Sequence, residues 1–171
     1  LRLGDDILSA GGYDGYHNIT IEGGTWDGGD IANATSARNL INIGHANHVV
    51  IQNTTIRNCF GSHLIEFAGV SESQIRNCTL TGFRYRGSLL DSEAIQLDVC
   101  HSDEDGSWNP AFLADDTFCQ NIIISNNTIR DYPRGVGNHH ALDGKHNLNI
   151  TIQNNTFVNT TSLGRHAINL A

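Results

Sequence analysis

The sequence has no long apolar run. Nothing in it approaches the roughly 20 residues that a membrane-spanning helix needs, so no membrane insertion is expected. No charged-then-apolar leader opens the chain. Basic residues are scarce: 10 Lys and Arg stand against 18 Asp and Glu, a net charge of −8 at pH 7. An acidic chain with scattered cations is a poor polyanion binder, which argues against nucleic acid as a partner. Charged residues of either sign make up only 16% of the chain, and apolar residues do not recur at the helical period. Asparagine is abundant instead, with 19 residues beside 18 glycines. Asn, Gly and Thr are weak helix formers and suit short strands joined by tight turns. The 171 residues are enough for one domain with a sizeable core. Also missing are a phosphate-binding loop, a nucleophile-elbow serine and a dinucleotide fingerprint. His45, His48, His63, His101 and His166 are dispersed, and His139 and His140 are adjacent. No four-ligand set for structural zinc assembles from them, so no metal is expected.

What the sequence does contain is a repeat. Five segments align without gaps: ITIEGGTW (19–26), VVIQNTTI (49–56), SQIRNCTL (73–80), IIISNNTI (122–129) and ITIQNNTF (150–157). Their anchors Ile21, Ile51, Ile75, Ile124 and Ile152 are separated by 30, 24, 49 and 28 residues. A second set follows: NLINIG (39–44), HLIEFA (63–68), EAIQLD (93–98), RGVGNH (134–139) and HAINLA (166–171). Aligning these puts Ile41, Ile65, Ile95, Val136 and Ile168 in one inward column, with their immediate neighbours facing out. Short strands repeating at a coil length predict an all-β, right-handed parallel β-helix of about five coils, each stacked about 4.8 Å above the last. Residues 1–171 then form a single β-helix domain, and the abrupt ends read as a fragment of a longer solenoid with adjoining domains. Asn53, Asn77, Asn126 and Asn154 fall in one column, with Gly23 at its head, and are expected to form a structural ladder of stacked amides.

The third coil is interrupted by GFRYRGSLLDS (82–92) and VCHSDEDGSWNPAFLADDTFCQ (99–120). Residues 82–119 hold eight acids against Arg84 and Arg86. Loops on a rigid scaffold are where sites usually sit. These two are expected to wall a cleft beside EAIQLD, with Trp108, Phe112, Phe118, Phe83 and Tyr85 offering flat faces to sugar rings. Cys100 and Cys119 bracket the second loop, and a disulfide there would stabilise by roughly 3 kcal/mol in the chain-entropy model and fit a secreted protein.

On the outward columns, polar side chains converge over the second to fourth coils: His63, Glu66, Glu93, Gln96, Asp98, Arg134 and His139, with His140 one residue on. Gly137 and Ala68 leave space beside Asp98. Clustered carboxylates, His and Arg are what acid–base chemistry requires. Glu66 and Asp98 lie one coil and two residues apart, about 8 Å between Cα atoms, within reach of a glycosidase carboxylate separation. The candidate catalytic residues are Asp98, Asp91, Glu66 and Glu93. The candidate substrate-binding residues are His63, Gln96, Arg134, His139, His140 and Trp108. The expected partner is an oligosaccharide or polysaccharide.

The coils HNITIEGGTWDG, HVVIQNTTIRNC and NIIISNNTIRDY resemble the pectate-lyase-like superfamily of secreted microbial parallel β-helices. The set HLIEFA, SEAIQLD and RGVGNHHA is similar to the β-helix domain of gut-bacterial and Gram-positive surface carbohydrate-active proteins, among them the lacto-N-biosidase type of glycoside hydrolase. That type uses two nearby Asp on a β-helix. The resemblance implies a retaining mechanism with Asp98 as nucleophile and Asp91 as acid/base, and an extracellular or cell-surface bacterial setting; no cofactor is expected. Two other functions fit such coils. One is a polysaccharide lyase or epimerase acting on uronates with Ca²⁺, for which Asp103-Glu104-Asp105-Gly106 is a weak calcium candidate and the negative charge is unfavourable. The other is a non-enzymatic surface adhesin that binds glycans.

Overall fold

A computed structural model of the chain describes residues 1–3, 11–85, 92–101, 114–139 and 142–170, and of Arg2 the backbone alone. The expected Asp91, His140 and Trp108, the calcium candidate at 103–106 and most of both insertions lie outside the described residues. The elements are β1 (Arg2–Leu3), β2 (Tyr16–Glu22), β3 (Thr25–Asp27), β4 (Ile41–Gln52), β5 (Thr55–Phe60), β6 (Ile65–Arg76), β7 (Thr79–Arg84), β8 (Glu93–Asp98), β9 (Gln120–Ser125), β10 (Thr128–Arg130), β11 (Arg134–Gly137), β12 (Leu148–Gln153), β13 (Thr156–Val158) and β14 (His166–Asn169). Among the described residues, every pairing between these strands is parallel. One sheet runs β1-β4-β6-β8-β11-β14 with β2, β9 and β12 branching from it, and the other runs β13-β10-β7-β5-β3. This is a right-handed parallel β-helix.

The register matches the alternation read from the sequence. Ile41 pairs with Ile65, Ile65 with Ile95, Ile95 with Val136, and Val136 with Ile168. Ile41, Ile43, Ile65, Phe67, Ile95 and Leu97 are fully buried, as are Ile51, Ile75 and Ile124 on the next face. Strands buried in stacked coils carry β-branched residues because these pack well on a pleated surface.

The corners follow a rule that periodicity alone did not show. Asn53, Asn77, Asn126 and Asn154 do form a column, but what they share is a left-handed backbone, with φ of 53°, 55°, 56° and 55°. Asn tolerates that conformation better than other non-glycine residues. A second left-handed column, Asn18, His48, Glu72, Asn121 and Asn149, bends the chain between the first and second faces. This bend lets β4 and β6 run 12 residues each while turning a corner. The expected amide ladder lies in other columns. Asn149 Nδ2 donates to Asn121 Oδ1 at 2.8 Å, and Asn121 Nδ2 to Glu72 Oε1 at 2.5 Å. Inside the corner, Asn155 Oδ1 accepts from Asn127 N at 2.9 Å, and Asn127 Oδ1 from Cys78 N at 2.9 Å. Replacing Asn126 by Ala, at left-handed φ, is expected to cost about 1–2 kcal/mol in urea unfolding, and replacing it by Gly much less.

The expected Cys100–Cys119 disulfide is absent; all four cysteines are free and buried. Backbone pairing closes the neck of the second insertion instead: Cys100 N donates to Thr117 O at 2.8 Å and Asp116 N to Cys100 O at 2.9 Å. The two thiols then point to different carbonyls. Cys100 Sγ reaches Ala68 O at 3.1 Å, and Cys119 Sγ reaches Phe67 O and Asp98 O, each at 3.5 Å. Burial pushes the Cys119 thiol up to about 12 and raises Cys100 as well, so neither is a nucleophile at neutral pH. A thiol reagent is expected to label none of the cysteines in the folded chain and all four after denaturation without reductant. Two labelled thiols would indicate a bridge.

Candidate functional site

The site lies on the outer surface of the first face, where β4, β6, β8 and β11 stack. Glu66 pairs with Gln96 and Asn42 with Glu66 along one outward column, and Asp98 pairs with Ala68 on the next. Arg134 pairs with Glu93 at the column where the strands begin. The structure therefore brings Glu66, Glu93, Gln96, Asp98, His63, Arg134 and His139 onto one face, as the alignment predicts. Strict alternation fails at the strand start. Leu64 and Ile65, and likewise Ala94 and Ile95, are all in the core, which leaves the preceding His63 and Glu93 on the outside of a bend.

Facing outward does not make these groups exposed. Glu93 is 0% exposed, Gln96 1%, Glu66 3%, Asp98 4% and His63 7%. Each is enclosed by hydrogen-bonded neighbours. Glu93 is the hub: its Oε1 lies 2.9 Å from Arg134 Nη1, and its Oε2 lies 2.7 Å from His139 Nε2 and 3.4 Å from His63 Nδ1. An unpaired carboxylate at that depth would be several kcal/mol unfavourable, and the cation offsets this. Burial pushes the His63 imidazole down to about 4, opposed by the Glu93 charge, so His63 is neutral at neutral pH. The rings of His63 and His139 meet edge to face with centroids 5.2 Å apart.

Asp98 ends β8. Its Oδ1 accepts the His139 backbone N–H at 3.0 Å, and its Oδ2 accepts the Gln96 amide. Glu66 Oε2 accepts from Asn42 Nδ2 at 2.9 Å and from Asn39 Nδ2. Asn39, which opens its aligned segment as His63 opens the next, also accepts from His63 N at 3.1 Å and so ties the first two coils of the site together.

Two expectations about space are corrected. The room that Gly137 leaves is filled by Glu93: a Cβ there would sit 2.8 Å from Glu93 Cγ and 2.8 Å from Asn169 O. Gly137→Ala is therefore expected to destabilise the fold by about 1–3 kcal/mol, read as a lowered melting temperature. Phe83 and Tyr85 do not wall a cleft. Phe83 is in the core, edge-on to Tyr85 at 5.1 Å and tilted against Tyr132 at 4.7 Å. A cavity of about 380 Å³ lies to one side, among Ile31, Thr35, Arg38, Asn39, Asn58 and Phe60, and shares Asn39 with the polar face.

The family model described as a right-handed beta helix region matches residues 13–170. No curated protein matches the chain. Among solved structures, the chain is similar to PfbA, a surface adhesin of Streptococcus pneumoniae, at 22% identity and a TM-score of 0.66 over 81% of this chain. The match spans 35% of the length of that protein. At that identity the likeness shows the fold.

Proposed function

This chain belongs to the right-handed β-helix family, a scaffold that carbohydrate-active enzymes and adhesins share, and we propose that it is a glycoside hydrolase that cleaves a neutral or amino-sugar glycan at the bacterial cell surface. The observation that carries the reading is the placement of Asp98. It sits on the outer face with its carboxylate oriented by the His139 N–H and the Gln96 amide, beside the Glu93 hub.

In the proposed retaining sequence, an Asp98 oxygen attacks the anomeric carbon as the glycosidic bond breaks, and Asp91 protonates the departing oxygen. The same Asp91 then takes a proton from the water that releases the sugar from Asp98. Glu66, Gln96, His63, Arg134 and His139 are assigned to the sugar hydroxyls, with His140 and Trp108 as further sugar contacts. Glu93 is reassigned from catalysis to positioning, because Arg134 and His139 engage its two oxygens.

The low exposure of Glu66 and Asp98, 3% and 4%, favours a second reading: a face that binds a glycan without cleaving it. The description of PfbA as a surface adhesin accords with this. The test is a panel of neutral and amino-sugar oligosaccharides and of uronate polymers with Ca²⁺. New reducing ends without ultraviolet absorbance support the hydrolase. An unsaturated, ultraviolet-absorbing product overturns it in favour of the lyase. Saturable binding with no release of any sugar overturns it in favour of the adhesin.

A further inference from the structure

We propose that His63, Glu93 and His139 form a binding site for one divalent transition-metal ion of the zinc, cobalt and nickel class. This assignment does not depend on the hydrolase reading. A ring nitrogen of each histidine and a carboxylate oxygen of Glu93 all lie within 4.8 Å of one another. Ligands about 2.0–2.1 Å from a tetrahedral ion stand about 3.3 Å apart. The contacts of 3.4 Å and 2.7 Å from Glu93 Oε2 to His63 Nδ1 and His139 Nε2 bracket that spacing, so small side-chain adjustments seat the ion.

The electron pairs here are arranged for a cation. Arg134 holds Oε1 and leaves Oε2 facing the two rings. Oε2 is buried and makes no aligned hydrogen bond of its own. In the tautomer protonated at Nε2, His63 Nδ1 carries a lone pair that the Glu93 N–H approaches at 3.2 Å, and an ion would take that pair in place of this long contact. Glu93 Oε2 lies 3.4 Å from the same nitrogen.

Outer contacts fix the ligands. The Asp98 carboxylate holds the His139 backbone, and β6–β8–β11 pairing sets the heights of His63, Glu93 and their neighbours. Such partners orient metal ligands. Two imidazoles and one carboxylate suit zinc, cobalt or nickel better than calcium or magnesium, which take all-oxygen shells. The His139 side chain is 28% exposed, so the fourth position opens toward solvent and is available to water or to a substrate oxygen.

The test is calorimetric titration of chelator-stripped chain with Zn²⁺ and optical titration with Co²⁺. One ion per chain is expected, with the visible absorption of low-coordinate cobalt, and no heat from Ca²⁺. His139→Ala, at the exposed ligand, is expected to lower Zn²⁺ affinity at least about 100-fold with the melting temperature of the metal-free chain little changed. His63→Ala is the second variant, and the cobalt spectrum of the natural chain stands even if that variant does not fold. Failure of the natural chain to bind one equivalent of Zn²⁺, or binding that His139→Ala leaves unchanged, overturns the proposal and leaves the three residues as a self-contained ion-pair network. Absence of hydrolysis with stoichiometric metal binding would overturn the hydrolase reading alone.

Discussion

Asp98→Asn is expected to lower glycan turnover by at least about 10³-fold, the scale of losing a covalent nucleophile, while the chain stays folded. The local geometry explains why folding survives. The Asn carbonyl can keep the bond from His139 N, now made by Asp98 Oδ1 at 3.0 Å. Its new NH₂ then meets the Gln96 side chain, which at present donates to Asp98 Oδ2. Gln96 Oε1 is buried and has no hydrogen-bond partner, so rotating that amide turns a donor–donor clash into a bond. The substitution thus removes the charge and nucleophilicity of residue 98 and leaves its contacts nearly intact. Release of reducing sugar and the melting temperature, measured on one preparation, separate the two effects. Unchanged turnover would reject the assignment of Asp98.

The second large effect is on stability. Glu93→Gln is expected to cost about 3–5 kcal/mol, the range found when one partner of a buried ion pair is removed. Glu93 is 0% exposed, and the Arg134 side chain that faces it is 17% exposed. The amide preserves volume but takes away the charge that offsets the guanidinium. For a chain of this size such a loss lowers the melting temperature by roughly 6–20 °C. The double variant Glu93→Leu, Arg134→Met is expected to recover most of the loss, since two apolar groups of similar volume leave no charge stranded. A Glu93→Gln chain as stable as the natural one would show that Glu93 is not a structural hub.

The stacking was legible because it depends only on side-chain alternation and coil length. A slip of one residue would have turned Ile65 and Ile95 outward and Glu66 and Gln96 into the core, so the pattern fixes the register. The corners were legible in part: Asn at 53, 77, 126 and 154 marks one of them, while His48 and Glu72 occupy left-handed positions where nothing in their chemistry signals it. The convergence of the site followed from the register. Its closure did not, because alternation gives direction and says nothing of what covers a side chain. Gly137 illustrates this, since sequence shows a missing side chain and only the fold shows that Glu93 occupies the space. Asn39 and Asn42 were visible members of the same columns, and their role emerged once their amides were seen on Glu66. The cysteines misled because spacing along the chain does not report thiol direction.

The most direct measurement is a crystal structure of the Asp98→Asn chain soaked with an oligosaccharide that the natural chain hydrolyses, or with the panel glycan that binds best if none is hydrolysed. A sugar seated on the outer face with its anomeric carbon against the residue 98 side chain is the result expected here. A glycan held instead in the cavity beside Arg38 and Phe60, with the face around residue 98 bare, would contradict the account.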